Sequence, residues 1–196
     1  FHQPMTVDSE RFEPSADSLI IEAVPVPPLE TSVTLMIKAC LMEYATIEHQ
    51  VKHIVKQLES PRTFSERILV VDPKRDGFLR QYTNTDQNAF ESAVDKLLNH
   101  GFIDRVIWAP ESSKDIRCLN QRWFGVDTTA THSKNGAPLV APLNGVDHCS
   151  SEYILQIDSD VLIGRQDHCH DYLKDMIDVF KGDTSAVTVA FNIANH

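Results

Sequence analysis

The chain has 196 residues, of which 42% are hydrophobic and 23% are charged, a composition that suffices for one globular domain with a sizeable core but not for two. Its 28 acidic residues against 18 basic residues give a formal net charge of −10, which argues against non-specific binding to nucleic acid. A diphosphate ligand would be repelled unless a cation or a local basic cluster intervened.

The cysteines and the apolar segments indicate the compartment. Cys40, Cys118, Cys149 and Cys169 are widely spaced and form no CxxC pair, which favours reduced thiols and a cytoplasmic location over a disulfide framework. No stretch of about 18 apolar residues is present, so no membrane span is predicted. The chain begins at Phe1 without a signal-peptide pattern, as a fragment of a longer protein would.

Residues 1–32 are predicted to form an extended, proline-rich lead-in, in which 19–21 could add an edge strand. From residue 33 onward, short β-branched segments alternate with stretches of helical periodicity. Strands are predicted at 33–37, 68–71, 106–108, 153–157 and 186–193, and helices at 44–58, 86–100, 139–149 and 168–180. Residues 111–135 are polar and are predicted to be irregular. This alternation predicts an α/β domain over 33–196 with a mainly parallel central sheet.

Carboxylates follow two of the predicted strands. Asp72 follows the second strand, and Asp158-Ser159-Asp160 follows the fourth. Ligands of open α/β sheets bind outside the carboxyl ends of the strands. Two neighbouring carboxylates repel each other unless a cation bridges them, and Mg²⁺ or Mn²⁺ prefers such oxygen ligands. The alternative is an ordinary turn, in which Asp and Ser are common.

The wider context of this motif resembles a known family. Residues 139–163 read LVAPLNGVDHCSSEYILQIDSDVLI, which resembles the stretch that leads into the DxD motif of GT-A-fold glycosyltransferases, especially the family-2 type. The run Leu143-Asn144-Gly145 matches the family's Leu-Asn-x-Gly-like helix, and Glu152-Tyr153-Ile154 matches the strand before the motif. Residues 33–58 resemble the opening strand and helix, and Asp72 matches the acidic residue that ends the second strand.

The resemblance implies a Rossmann-like three-layer sandwich of the GT-A nucleotide-diphosphosugar transferase type, a nucleotide-diphosphosugar donor, an unidentified acceptor, and Mn²⁺ or Mg²⁺. Asp72 would contact the base or the ribose, and Asp160 would ligate the metal. Asp158 would support the ribose or the metal shell, and Asn144 would shape the nucleotide pocket. Lys38 would contact a phosphate or the base, or be an ordinary solvated side chain.

Two departures from the family are evident. After the first strand the family often has Pro-Thr-Tyr-Asn, whereas this chain reads Lys38-Ala39-Cys40-Leu41, so the usual aromatic near the base is missing. The acceptor half, which supplies the catalytic base and a later Gln-x-x-Arg-Trp motif, is absent from this sequence. Asn120-Gln121-Arg122-Trp123 resembles that motif but precedes DxD; we interpret it as coincidence, with Trp123 as a packing residue.

Two further clusters have a functional and an ordinary interpretation. His168-Cys169-His170 could add a ligand to the metal, or be surface histidines at the start of a helix. Lys74, Arg75 and Arg80 could lie near a diphosphate, or be solvated loop residues.

Three functions are compatible with these features. The first is a metal-assisted glycosyltransferase, and the second is a non-catalytic nucleotide-sugar-binding or regulatory module of the same fold. The third is a nucleotidyltransferase, which would need a glycine-rich loop where Lys38-Ala39-Cys40-Leu41 stands. No GxGxxG, GxxxxGK[ST] or GxSxG motif is present, which excludes the simplest dinucleotide-binding, P-loop and α/β-hydrolase interpretations.

Overall fold

The computed structural model describes residues 29–73 and 85–191. Within these ranges it contains four strands and five α-helices, and a short 3-10 turn, Leu41–Glu43, follows the first strand. In chain order the elements are β1 (Val33–Cys40), α1 (Ile47–Leu58), β2 (Glu66–Asp72), α2 (Gln87–Asn99), β3 (Arg105–Trp108), α3 (Ser113–Phe124), α4 (Val140–His148), β4 (Tyr153–Asp158) and α5 (Tyr172–Gly182). The greater part of the lead-in, including 19–21, lies outside the described residues.

The four strands form one parallel sheet in the order β3-β2-β1-β4. This confirms the predicted α/β architecture and its first four strands. The chain builds outward from β1 to β3 and then returns to place β4 on the other side of β1. The sheet therefore has a topological switch point between β1 and β4, where the carboxyl ends of the two strands leave a crevice for a ligand.

Helices cover both faces of the sheet. Leu35 and Ile37 of β1 point into the larger core, which they share with α1, α2 and α5. Met36 points to the opposite face, where it packs with Val70 and with Ala141 of α4. This alternation follows from the period of two along a strand, and the near-continuous burial of β1 is typical of a central parallel strand.

Helix α4 approaches the sheet closely at Gly145. A β-carbon at this position would lie 2.6 Å from Val70 Cγ2 and 2.7 Å from Met36 Sδ. Both neighbours are fully buried, so neither side chain has free space into which to move. Glycine in the Leu143-Asn144-Gly145 run is therefore required by packing.

The structure corrects one segment predicted to be irregular and the start of one predicted helix. Residues 111–135 are not wholly irregular, because α3 occupies Ser113–Phe124. Its first turn is capped by Ser112, whose hydroxyl accepts from Asp115 N at 3.1 Å, and Gly125 ends it in the left-handed conformation. Helix α5 begins at Tyr172 rather than at 168, because Asp171 is its N-cap and accepts from Lys174 N.

The final predicted strand is wrong for the residues that the structure describes. Residues 187–191 line an apolar cavity together with residues of β4 and α5, and 186–191 form no strand ladder. Phe191 instead packs against Tyr172, with ring centroids 5.5 Å apart. Residues 192 and 193 of that prediction lie outside the described part of the chain.

Candidate functional site

The predicted site residues lie at the carboxyl ends of three adjacent strands. Lys38 of β1 is in register with Val70 of β2 and with Asp158 of β4. Asp72 lies two residues beyond Val70. Because side chains alternate along a strand, Lys38, Asp72 and Asp158 project from the same face of the sheet, which is the α4 face.

Lys38 and Asp158 form an ion pair across the switch point, with Nζ 2.8 Å from Oδ1. The Lys38 side chain is 21% exposed and the Asp158 side chain 59% exposed. A half-exposed pair of this kind adds little to stability. Its effect is local, because it holds a positive charge against the first carboxylate of the DxD motif.

The turn that carries the motif is fastened by its middle residue. Ser159 is 2% exposed, its backbone N–H donates to Lys38 O at 2.8 Å, and its hydroxyl donates to Glu43 Oε1. The other oxygen of Glu43 accepts from Cys40 N at 2.7 Å. Burying the serine in this way leaves Asp158 and Asp160, on either side of it, exposed to solvent.

A cavity of about 390 Å³ opens at this point, and we call it the Asp158 cavity. The described residues that line it include Lys38 and four carboxylates, those of Glu43, Asp72, Asp158 and Asp160. Four carboxylates against one ammonium make the cavity strongly acidic. An anionic ligand would therefore be repelled from this cavity unless a cation were bound with it.

A second cavity, of about 520 Å³, adjoins the first, and we call it the Trp108 cavity. Its walls are mixed: Leu41, Trp108 and Ile116 supply apolar surface, and the carboxylates of Glu91 and Glu111 also line it. Trp108 is 37% exposed and makes an edge contact with Phe90, with ring centroids 6.0 Å apart. A partly exposed indole in a cavity of this volume is suited to a planar ligand group.

Asp72 lines both cavities. Its side chain is only 7% exposed, and its Oδ2 lies 2.9 Å from Nε2 of His132, which is 8% exposed. The hydroxyl of Thr131 lies 2.9 Å from the other ring nitrogen, Nδ1. Asp72 therefore stands in the wall between the cavities with a buried imidazole beside it.

A tight hairpin over 131–139 presents His132. His132 and Pro138 form an antiparallel bridge, and Ser133 N donates to Ala137 O at 2.8 Å. The turn closes at Gly136, whose φ of 84° lies in the left-handed region that favours glycine. Thr131 O accepts from Leu139 N and Val140 N, so the hairpin is joined to the first turn of α4.

Asn144, predicted to shape the nucleotide pocket, faces β3. Its Nδ2 donates to Trp108 O at 3.1 Å. It does not contribute to either the Asp158 cavity or the Trp108 cavity as far as the described residues define them. Its contact instead joins α4 to the end of the strand that carries Trp108.

The segment Asn120-Gln121-Arg122-Trp123 lies on α3. Asn120 donates to the carbonyls of Thr128 and Ala130, and Trp123 Nε1 donates to Asp147 Oδ1 of α4 at 3.1 Å. These contacts hold α3 to the following loop and to α4, and they lie away from the acidic turn. Asn120 is buried, but Trp123, interpreted from sequence as a packing residue, is 41% exposed and meets α4 through this hydrogen bond instead.

His168 and His170 lie near the end of α1 that leads into β2. Ser60 Oγ donates to His168 O at 2.7 Å, and His170 Nε2 lies 3.1 Å from Asp175 Oδ2. That end of α1 is at the opposite edge of the sheet from Asp158, because α1 runs back along the strands. The two histidines are thus not brought to the acidic turn. Lys74, Arg75 and Arg80 lie outside the described residues.

Within residues 29–73 and 85–191, no group of three or more His, Cys, Asp or Glu side chains has the arrangement of a metal site. Asp158 and Asp160 nevertheless fit a hard divalent ion of the kind that takes one or two carboxylates and completes its shell with ligand phosphates and water. Asp158 would exchange its contact with Lys38, while Asp160 is exposed beside it. The donor set therefore fits Mg²⁺ or Mn²⁺ bound together with a phosphate.

Comparison of the chain with protein-family models, with curated proteins and with solved structures finds no significant match.

The described residues contain no helix long and apolar enough to cross a membrane. The four cysteines all lie in the described ranges and are unbonded to one another.

Three residues of the site were not predicted from sequence, namely Glu43, Trp108 and His132. Trp108 ends a strand, and its position at the carboxyl edge was a usable signal. Glu43 stands three residues after Cys40, the spacing at which a carboxylate reaches back to a turn N–H. His132 carries no local signal, because only the hairpin brings it to Asp72.

Proposed function

We propose that this chain binds a nucleotide-diphosphosugar at the carboxyl edge of its sheet and acts as a metal-assisted glycosyltransferase domain of the GT-A type. The observation that carries the proposal is the pair of adjoining cavities, which meet at Asp72 beside the topological switch point. One carries an indole and aliphatic side chains together with the carboxylates of Glu91 and Glu111, and the other is lined by the DxD carboxylates and Lys38. A nucleotide has the same division, with a planar base at one end and phosphates at the other.

The two cavities determine which end of the ligand each one holds. The base lies in the Trp108 cavity, where Trp108 supplies the aromatic surface that is missing after β1. The diphosphate lies in the Asp158 cavity, where Lys38 is the cation among the described lining residues. The ribose then lies between them, beside Asp72.

The acidic turn would hold the metal. Asp160 would be its principal protein ligand, and Asp158 would support it once its contact with Lys38 is exchanged. Bound there, a divalent ion would offset the charge that develops on a leaving nucleoside diphosphate. Lys38, released from Asp158, is positioned to donate to a phosphate oxygen.

A second candidate, the non-catalytic nucleotide-sugar-binding module, is favoured by one observation. Glu43 is the carboxylate nearest the turn that is not part of the DxD motif, and both of its oxygens are engaged, by Cys40 N and by the Ser159 hydroxyl. It is held as a structural group and not as a base aimed at an acceptor. Saturable donor binding without turnover would favour this module.

Calorimetry with uridine, guanosine, cytidine and adenosine diphosphates, each with and without Mn²⁺, tests the proposal. We expect one of them to bind with at least a tenfold gain in affinity from Mn²⁺. Asp160→Asn should abolish that gain, because it removes a charged ligand. The matched control is Asp95→Asn on the exposed face of α2, which should leave binding unchanged. Absence of binding by all four diphosphates, with metal present, would refute the proposal.

Turnover separates the two candidates. Release of nucleoside diphosphate from sugar donors of the preferred base, measured with Mn²⁺ and a panel of hydroxyl acceptors, is expected for a transferase. Tight, metal-dependent binding without any release identifies the binding module instead.

A further inference from the structure

Asp72 lies at the boundary between the two cavities, where a nucleotide that spans them would place its ribose. A ribose presents two adjacent hydroxyl groups, and an ionised carboxylate accepts from both at once. Recognition of both ribose hydroxyls depends on the direction in which the carboxylate is held. His132, which does not line either cavity in the described residues, places its Nε2 2.9 Å from this carboxylate.

We propose that His132 is a positioning residue that fixes the Asp72 carboxylate toward the ribose, and thereby makes the site selective for ribonucleotides over 2′-deoxyribonucleotides. This inference rests on the proposed function, since it requires a nucleotide that spans both cavities. It goes beyond that function in two ways. It names the ribose as the part of the ligand that is recognised, and it names His132, outside the cavity walls, as the residue that controls this recognition.

The geometry around the imidazole supports this role. Nε2 lies 2.9 Å from Asp72 Oδ2, and Thr131 Oγ1 lies 2.9 Å from Nδ1. The neutral tautomer with hydrogen on Nε2 lets the Thr131 hydroxyl donate to Nδ1 and turns a polar N–H toward the carboxylate at ion-pair distance, although Nε2 makes no regular hydrogen bond there. The ring is held at Nδ1, and its Nε2 lies against the carboxylate and limits how the carboxylate can turn.

The backbone that carries His132 is itself well fixed. The bridge between His132 and Pro138, the turn at Gly136 and the bonds from Leu139 N and Val140 N to Thr131 O join the hairpin to α4. Helix α4 packs on β2 through Val70, two residues before Asp72. The imidazole and the carboxylate thus stand on elements that do not move independently, as a preorganised binding group requires.

The test measures selectivity and not affinity alone. The diphosphate that binds the unmodified chain is compared with its 2′-deoxy counterpart by calorimetry in Mn²⁺, for the wild-type chain, His132→Ala, His132→Gln and Asp72→Asn. We expect the wild type to prefer the ribonucleotide by about 10- to 100-fold, the range expected for a hydrogen bond to a charged group. His132→Ala and Asp72→Asn should bring this ratio close to one.

His132→Gln provides the rescue, because its side-chain amide can donate from nearly the position of Nε2, and it should retain most of the preference. If His132→Ala fails to fold, His132→Gln and Asp72→Asn still decide the outcome through the same ratio. His100→Asn, at the exposed end of α2, is the matched control and should keep the wild-type ratio.

Three other outcomes would overturn this inference. A wild-type chain that binds the two nucleotides equally overturns this inference while leaving the proposed function intact. A folded His132→Ala that keeps the wild-type preference overturns it as well. Failure of the wild type to bind any of the four nucleoside diphosphates overturns both the inference and the proposed function.

Discussion

Glu43 organises the acidic turn although it is not part of the motif. Its carboxylate accepts from Cys40 N at the end of β1 and from the Ser159 hydroxyl after β4. Two strands that are adjacent in the sheet but distant in sequence are thereby joined at their carboxyl ends. The serine of the motif is thus the buried anchor, and the two aspartates are held outward on either side of it.

Glu43→Gln should destabilise the fold. An amide keeps one acceptor oxygen but replaces the other with an NH₂ group, so either Cys40 N–H or the Ser159 hydroxyl loses its acceptor. We expect a loss of about 1–3 kcal/mol in the free energy of unfolding, measured by urea denaturation. Glu152→Gln changes an exposed carboxylate before β4 and should leave the midpoint within error. Equal midpoints for both variants would show that the Glu43 contacts are not made in solution.

The residues of the site differ in how far they were predictable. Lys38, Asp72 and Asp158 are polar side chains at or near the ends of apolar strands, and parallel pairing brings such ends together. His132 and Glu43 reach the site through a hairpin and a 3-10 turn, whose positions depend on tertiary packing. Asn144 was selected through the resemblance, and its contact with Trp108 O reflects how α4 is seated on β3.

Helix α4 shows how one element sets the shape of the site. It follows the hairpin of His132, supplies Ala141 to both cavities and meets the sheet where Gly145 has no side chain. The distances of 2.6 and 2.7 Å from a virtual β-carbon to Val70 and Met36 leave no room for a methyl group. A shift of α4 away from the sheet would move the cavity walls with it.

Gly145→Ala should therefore destabilise the protein by about 1–3 kcal/mol, the usual cost of overpacking a buried contact. Thermal unfolding followed by circular dichroism measures it. Gly182→Ala is the matched control, since Gly182 is also helical but a β-carbon there meets nothing within 4 Å, and the helix propensity of alanine should make it neutral or slightly stabilising. If Gly145→Ala proved as stable as the control, the close approach of α4 would be refuted.

Prediction of the elements succeeded where apolar periodicity was strong. The two central strands, β1 and β2, are buried runs rich in aliphatic residues, and the outer strands β3 and β4, although only partly buried, carry short apolar runs that pattern also identifies. Helix α3 was missed because its segment is predominantly polar, although Ile116, Leu119 and Trp123 stand at helical spacing within it. The alternation at 186–193 predicted a strand, but sequence pattern cannot say whether a neighbouring strand accepts the ladder.

At the scale of the whole molecule, charge works against the proposed ligand. The chain carries a formal charge of −10, and the described lining of the Asp158 cavity adds local repulsion to this long-range field. A nucleoside diphosphate thus meets an unfavourable potential until a divalent ion binds. Charge balance, more than shape, is expected to control when the site is filled.

Salt should consequently strengthen binding when no divalent ion is present. A chelator is added to remove divalent ions. Raising the ionic strength from about 0.01 M to about 0.15 M then shortens the Debye length from about 30 Å to about 8 Å, which screens the repulsion between the acidic cavity and the diphosphate. We expect the dissociation constant of the nucleoside diphosphate to fall, as measured by calorimetry. Saturating Mn²⁺ should reduce this dependence. Affinity that weakened steeply with salt would mean that basic side chains, and not a metal, hold the phosphates.

The contact between Glu43 and Ser159 spans 116 positions of sequence, and this has a consequence for folding. Because a contact between positions so far apart carries a large loop-closure cost, we expect pairing of β4 with β1 to form late in folding. The acidic turn does not exist in any shorter folding intermediate that lacks this pairing. A ligand at the turn then binds the native state alone, and at about 100 times its dissociation constant would add about 2.7 kcal/mol to the free energy of unfolding. The melting temperature of the intact chain would in this way report which nucleotide it recognises.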